Sequence, residues 1–82
     1  MKQQISCRVE ALWDPEAEVW VAIGEDVPGL ATEADTIEAL SDKLRQMIPE
    51  LMILNQMVSS DYAGYLEFHL TTHRQEQIKV AS

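Results

Sequence analysis

The stretch that decides the fold is DVPGLATEADTIEAL, residues 26–40. Its first part, VPGL at 27–30, predicts a type II turn, because proline presets φ at the first central position and glycine accepts the positive φ required at the second. A short strand is predicted at about 30–34. Asp35 or Thr36 then caps a helix, since either side chain can accept a hydrogen bond from the first turn. The stretch therefore predicts a turn, a strand and a helix in immediate succession.

Two strands are predicted before this stretch. Residues 3–12 alternate apolar and polar side chains, which is the period of a half-buried strand. A turn containing Pro15 follows. The next strand, at 18–24, is apolar on both faces, which predicts a central strand or one that is covered on both sides. Together the two strands form an antiparallel hairpin.

A helix is predicted from residue 36 to about 55. Apolar residues recur there in steps of three and four, as in a heptad seam. Pro49 removes one amide donor, so we expect a kink or a break near 46–48. After Pro49 the helix is apolar on nearly every side, and a single sheet face cannot cover all of these side chains. We therefore predict a self-association surface on this segment, made of Leu51, Ile53, Leu54, Met57 and Val58.

A final strand is predicted at 64–73, followed by a polar tail that either extends the strand or frays. The order is β-β-β-α-β, an α+β fold with an antiparallel meander and one helix on one face. The last strand lies parallel to the first through a right-handed crossover. Residues 1–82 form a single domain.

The charge balance limits the classes of partner. Six Lys and Arg face 14 Asp and Glu, a formal charge of −8, so direct nucleic-acid binding is not expected. No signal peptide or membrane-spanning stretch is visible, which predicts a cytoplasmic protein with Cys7 reduced. A single cysteine excludes an internal disulfide and a Cys-based zinc site.

Ten carboxylates lie between Val9 and Asp42 with no Lys or Arg among them. A two-metal nuclease needs inward-facing carboxylates on adjacent strands, whereas most of these acids lie at turns. We interpret them as a solvated surface that suits a basic partner. His69 and His73 would lie about 13 Å apart on a strand, too far to share a metal. No metal, cofactor or catalytic residue is predicted.

Three other side chains could carry chemistry. Cys7 alternates with core residues and is interpreted as a buried, inert thiol. Trp13 and Trp20 could stack on a ligand, although packing is the commoner role, and Trp13 could lie at an interface.

The runs 13–22 (WDPEAEVWVA) and 26–40 resemble the HicB-like antitoxin family, in particular its short, single-domain, uncharacterised branch. The pattern is a W-V-A strand, a D-x-P-G turn, a T-E-A-D-T segment and then E-A-L at the start of a helix. All four occur here in order, and the match covers about residues 9–54.

The resemblance implies a partial RNase-H-like fold and a binding role without catalytic residues. HicB-type antitoxins cover a small basic HicA-type ribonuclease. The contact residues implied here are Glu25, Asp26, Pro28, Gly29 and Glu33. Longer family members add a carboxy-terminal DNA-binding domain. Only ten residues follow Thr72, so operator binding is not expected, and Pro49 also departs from the usual HicB helix.

Three functions remain at this point. The first is a non-catalytic, oligomeric protein-binding module of HicB-like type that neutralises a small basic toxin. The alternative is a stand-alone protein that binds a small molecule or has a structural role in an oligomer. The third is a degenerate nuclease.

Overall fold

The computed structural model describes residues 4–81. The elements are β1 (Gln4–Asp14), β2 (Val19–Gly24), β3 (Ala31–Ala34), α1 (Ile37–Leu54) and β4 (Tyr65–His73). The four strands form one sheet in the order β3-β2-β1-β4. β1 is antiparallel to β2 and parallel to β4, and β2 is antiparallel to β3. The predicted α+β fold and its element order are confirmed.

One face of the sheet carries the core. Buried Ala11 on β1 lies opposite buried Ala22 on β2, and half-buried Phe68 on β4 lies opposite buried Cys7. The alternate side chains point to the other face, where Ile23 is 52% exposed. The central position predicted for β2 is confirmed. Only one of its two apolar faces is covered by the chain itself.

The helix buries a different stripe from the predicted heptad seam. Its buried residues are Leu40, Leu44, Ile48 and Met52, in successive steps of four. Each step of four advances about 40° around the helix axis, so the stripe winds round the helix and follows a twisted sheet. The stripe shares Leu40 and Leu44 with the predicted seam, whereas Leu54, another member of the seam, is 76% exposed. The full predicted seam is Ile37, Leu40, Leu44, Met47, Leu51, Leu54 and Val58.

Pro49 lies inside one continuous helix. The alternative of a break near 46–48 is therefore wrong, whereas the kink stays a prediction. The amide that Pro49 lacks would have bonded the carbonyl of Arg45. Arg45 is exposed, so solvent can compensate that carbonyl.

Local side-chain chemistry sets the first boundaries. Thr36 caps α1 by accepting a hydrogen bond at Oγ1 from the amide of Ala39 at 3.0 Å. The carboxylate of Asp14 holds the β1–β2 turn by accepting from the amide of Glu16 at 3.0 Å. Each of these hydrogen bonds joins residues only two or three positions apart in the chain. Short sequence patterns can therefore predict where these elements begin and end.

The chain after β4 projects from the domain. The last pair of the β1–β4 ladder is Leu12 with His73, and residues 74–81 are exposed throughout. The radius of gyration is 15.7 Å, larger than the roughly 12 Å expected of a compact chain of this length. We call residues 74–81 the tail.

α1 does not combine the length and low charge that a bilayer-spanning helix needs, and no other helix occurs in the described residues.

Candidate protein-binding surface

The five residues implied as partner contacts lie along the β2–β3 hairpin, and we call them the acidic turn surface: Glu25, Asp26, Pro28, Gly29 and Glu33. Four of them are exposed, and Asp26 is half-buried. Glu33 lies opposite Val21 and so belongs to the sheet face that α1 does not cover.

The turn beneath this surface is fixed by the core. Val27 is fully buried, and the amide of Leu30 donates to the Val27 carbonyl at 3.1 Å. Gly29 has φ of +84°, which confirms the predicted type II turn. Buried Leu30 in turn offers its carbonyl to the amide of Gly24 at 3.2 Å.

A second anchor joins the turn to the end of α1. The side-chain amide of Asn55 donates to the carbonyl of Pro28 at 3.0 Å and to that of Leu51 at 2.8 Å. Sequence reasoning missed this contact, because Asn55 and Pro28 are 27 residues apart. The acidic turn surface is consequently held from both sides before any partner arrives.

Asp26 is engaged by its own chain. Its carboxylate accepts hydrogen bonds from the backbone amide of Arg8 at 2.9 Å and from the Arg8 guanidinium at 3.3 and 3.4 Å. The side-chain hydrogen bonds from Arg8, and then the backbone one, lower the pKa of Asp26. Of the five implied contact residues, Asp26 is therefore the least available to a partner.

We expect the pKa of Asp26 to lie below the ordinary aspartate value of about 3.9. The stabilisation from this pair is present above the unfolded-state pKa and is lost as the pH falls through the lower folded-state pKa. An Arg8→Gln variant should raise the Asp26 pKa only part of the way, since the backbone bond remains. Carbon-detected NMR titration of the carboxyl group measures both values.

The control for this titration is Arg45→Gln, which removes an arginine that pairs with Asp42 on α1. It should leave the Asp26 titration unchanged. An ordinary Asp26 pKa in the wild type would contradict the predicted network.

Glu25 and Glu33 differ from Asp26, because neither carboxylate pairs with a cation within residues 4–81. The closest approach of a lysine is to the backbone: Nζ of Lys43 donates to the carbonyl of Glu33 at 2.6 Å. The free negative charge of the acidic turn surface is thus concentrated on two glutamates.

The predicted self-association surface divides in two. Ile53, Leu54 and Met57 are 42%, 76% and 46% exposed, whereas Leu51 and Val58 are half-buried against the core. The last turn of α1 and the segment that follows it therefore present three apolar side chains to solvent.

The two tryptophans form a cluster at the end of the sheet. The ring centroids of Trp13 and Trp20 are 5.2 Å apart at 59°, and the guanidinium carbon of Arg74 lies 4.3 and 5.9 Å from them. An open slot of about 540 Å³ runs between Trp13 and residues 75–77 of the tail. Sequence reasoning missed Arg74. The signal available in the sequence was its position directly after an alternating strand, which places Arg74 on the same face as Leu70.

The histidines and the cysteine are placed as predicted. His69 and His73 lie on the uncovered sheet face, with Nε2 3.0 and 3.5 Å from carboxylates of Glu67 and Glu10 respectively. Cys7 is 2% exposed, and its burial raises the pKa of the thiol. Across residues 4–81 no three His, Cys, Asp or Glu side chains cluster in a way that could hold a metal.

Residues 6–82 match the model of a protein family described as Domain of unknown function (DUF1902). The chain belongs to the DUF1902 family. A solved structure, a hypothetical protein from the extremely thermophilic bacterium Thermus thermophilus, is 44% identical to it. That match covers 89% of this chain and 99% of the other, with a TM-score of 0.68. No protein of curated function is detectably similar in sequence.

The DUF1902 match includes the acidic turn surface, the end of α1 and the tail. Neither similarity bears on an activity, so the resemblance to HicB-like antitoxins stays a prediction.

Proposed function

We propose that this DUF1902 protein is a non-catalytic, acidic binding module that acts in the cytoplasm as an oligomer. Its expected partner is a small basic protein, of which a HicA-type ribonuclease toxin is the example that the HicB-like sequence pattern implies. The observation that carries the proposal is the pair of exposed glutamates, Glu25 and Glu33, on a pinned hairpin, whose carboxylates form no ion pair in the described part of the chain.

Charge supports a basic partner. A formal charge of −8 on 82 residues repels other acidic molecules and attracts a basic one before contact. Complementary charge raises the association rate and selects among partners more than it raises affinity. Association with the partner should therefore be fast and should slow as salt is added.

Rigidity supports binding by the hairpin. The turn is held through buried Val27 and Leu30 and through Asn55. A surface that is already ordered loses little conformational freedom on binding, so more of the contact energy becomes affinity.

The experiment first searches the genes next to this one for a basic protein of about 60–80 residues, the size and charge expected of a partner, and then measures its binding to this chain. We expect the double variant Glu25→Gln, Glu33→Gln to weaken binding roughly tenfold or more, mainly through a slower association rate, because two complementary charges are lost. Stopped-flow or biosensor kinetics at two salt concentrations measure it.

The matched control neutralises two glutamates of the β1–β2 turn, outside the acidic turn surface: Glu16→Gln with Glu18→Gln. This control changes the net charge equally and should slow association less than the Glu25, Glu33 pair does, because charges outside the contact act only at long range. Equal effects of the two double variants would mean that the partner responds only to net charge and not to the acidic turn surface. Absence of binding by the wild type would refute the proposal.

The alternative, a small-molecule site beside the tryptophans, has less support. The slot next to Trp13 is large enough for a ligand, but Arg74 already lies over both rings. A ligand that stacks there must displace a guanidinium with a favourable cation–π contact.

A further inference from the structure

The two edges of the sheet are unequal. β3 forms one edge with four residues, and Lys43 of α1 occupies its Glu33 carbonyl. β4 forms the other edge with nine residues, and within residues 4–81 it pairs with β1 alone. A long strand at an edge is a template for another strand, which proteins normally shorten, charge or cover. The hydroxyl of Tyr62 donates to the carbonyl of Tyr65 at 2.9 Å, at the start of β4. The remainder of the β4 edge has room for a further strand.

The tail continues from β4 with two apolar side chains in solvent. Ile78 is 87% exposed and Val80 is 84% exposed. The tail is held at its base, where Arg74 meets the tryptophans and pairs with Glu76 at 3.3 Å. An extended segment that buries almost nothing gains little from its own chain, which indicates a partner for its apolar residues.

The position of Arg74 indicates the side of the sheet on which Ile78 and Val80 lie when the tail is extended. Trp13 and Trp20 lie opposite each other, two residues along from buried Ala11 and Ala22, and so belong to the face that α1 covers. Arg74 stacks on them and shares that side. Side chains alternate along a strand, so once the tail pairs as a continuation of β4, its even-numbered residues lie on the helix side.

A groove on the same side runs beside β4. Five of its seven lining residues are apolar, and its volume is about 270 Å³: Leu44, Ile48 and Pro49 of α1 and Leu66 and Phe68 of β4, with Arg45 and Glu67 completing the lining. Leu66 and Phe68 are even-numbered as well, and half-buried. The groove is thus mainly apolar and borders the outer edge of β4.

We propose that the β4 edge and tail of one copy pair antiparallel with the β4 edge and tail of a second copy, about a two-fold axis perpendicular to the sheet. With the axis near His73, Ile78 lies opposite Phe68 of the second copy and Val80 lies opposite its Leu66. The tail of each copy then covers the groove of the other.

Two features favour this register. A two-fold axis perpendicular to the sheet leaves the helices of both copies on the same side. Residues that face each other then have numbers that are both even or both odd, so apolar side chains meet apolar ones. The same register places Lys79 opposite Glu67 of the second copy, and Lys79 has no ion pair within residues 4–81 of its own chain. Opposite charges across a strand pair add to its stability.

The decisive variant is Ile78→Glu with Val80→Glu in the full chain. Both positions are solvent-exposed in the single subunit, so the fold should survive, as circular dichroism can verify. The wild-type chain of 9.3 kDa should show at least twice that molar mass by light scattering, and the variant should show half the wild-type value. The matched control is Gln75→Glu with Gln77→Glu, which adds the same charge on the other side of the tail and should keep the wild-type mass.

A cross-link tests the register. His69 and Gln77 are exposed, and the proposed register brings them opposite each other on the uncovered face of the paired strands. His69→Cys with Gln77→Cys should form intersubunit disulfides on mild oxidation, and each single variant should not. Buried Cys7 does not compete.

The same mass measurement separates this interface from the self-association surface predicted at the end of α1. Leu54→Glu, at the exposed end of α1, should leave the β4-paired dimer intact. A monomeric wild type, an Ile78→Glu, Val80→Glu variant of unchanged mass, or dissociation by Leu54→Glu alone would each overturn the inference. The failure of this inference and the failure of the proposed function can be told apart. The variants Glu25→Gln and Glu33→Gln should weaken binding of a basic protein and leave the molar mass unchanged.

Discussion

Replacing Leu44 with alanine should lower the free energy of unfolding by about 2–5 kcal/mol. Leu44 is fully buried at the middle of α1, between buried Leu40 and Ile48. The truncation removes favourable burial and leaves a cavity that a rigid sheet cannot fill. A domain of this size has a total stability of roughly 5–15 kcal/mol, so a large share of it is at risk. Urea denaturation followed by circular dichroism measures the loss.

Leu54→Ala is the matched control. It makes the same chemical change on the same helix, at a residue that is 76% exposed. The expected effect is within about 0.5 kcal/mol of zero, as for most surface substitutions. Measuring below the concentration at which copies associate keeps the comparison to the single chain. Similar losses for the two variants would mean that the buried stripe of α1 is assigned incorrectly.

Gly24→Ala should have the second largest effect, a loss of roughly 1–3 kcal/mol from overpacking. A Cβ atom at Gly24 would lie 2.5 Å from Cδ2 and 3.2 Å from Cβ of Leu30. Leu30 is 3% exposed, so its side chain cannot swing into solvent. The smaller entropy of an alanine chain in the unfolded state offsets only about 0.4–1 kcal/mol of this penalty.

A double-mutant cycle with Leu30→Ala isolates the cause. Once the Leu30 side chain is shortened, the close contacts with Cδ2 disappear, and Gly24→Ala should cost less than half of its original penalty. Additive effects would show that the penalty has another origin, since residues that share a contact should couple. Thermal or urea unfolding of the four proteins completes the cycle.

The element order could be predicted because its signals are local. The type II turn at Gly29 and the cap at Thr36 each depend on side chains within four residues of each other. The buried stripe of α1 could not be predicted in the same way, because it depends on how a twisted sheet meets the helix. After Leu44 the heptad spacing selected Met47 and Leu51, whereas the buried stripe continues through Ile48 and Met52.

The candidate surface was predictable in its charge but not in its contacts. Glu25 and Glu33 stand out as acids beside a turn. The engagement of Asp26 by Arg8 requires that two segments 18 residues apart meet, and the stacking of Arg74 on Trp13 joins opposite ends of the chain. Such pairs are fixed by strand register, which a single sequence does not specify.

The parallel ladder between β1 and β4 joins Gln4 to Tyr65, about sixty residues apart in the chain. During synthesis, the first strand leaves the ribosome long before the strand that completes its second side. The hairpin and helix can assemble early, but β1 waits with one row of amides and carbonyls open until β4 has emerged. Completion of the sheet is consequently a late step, and a nascent chain halted in the helix exposes an aggregation-prone edge.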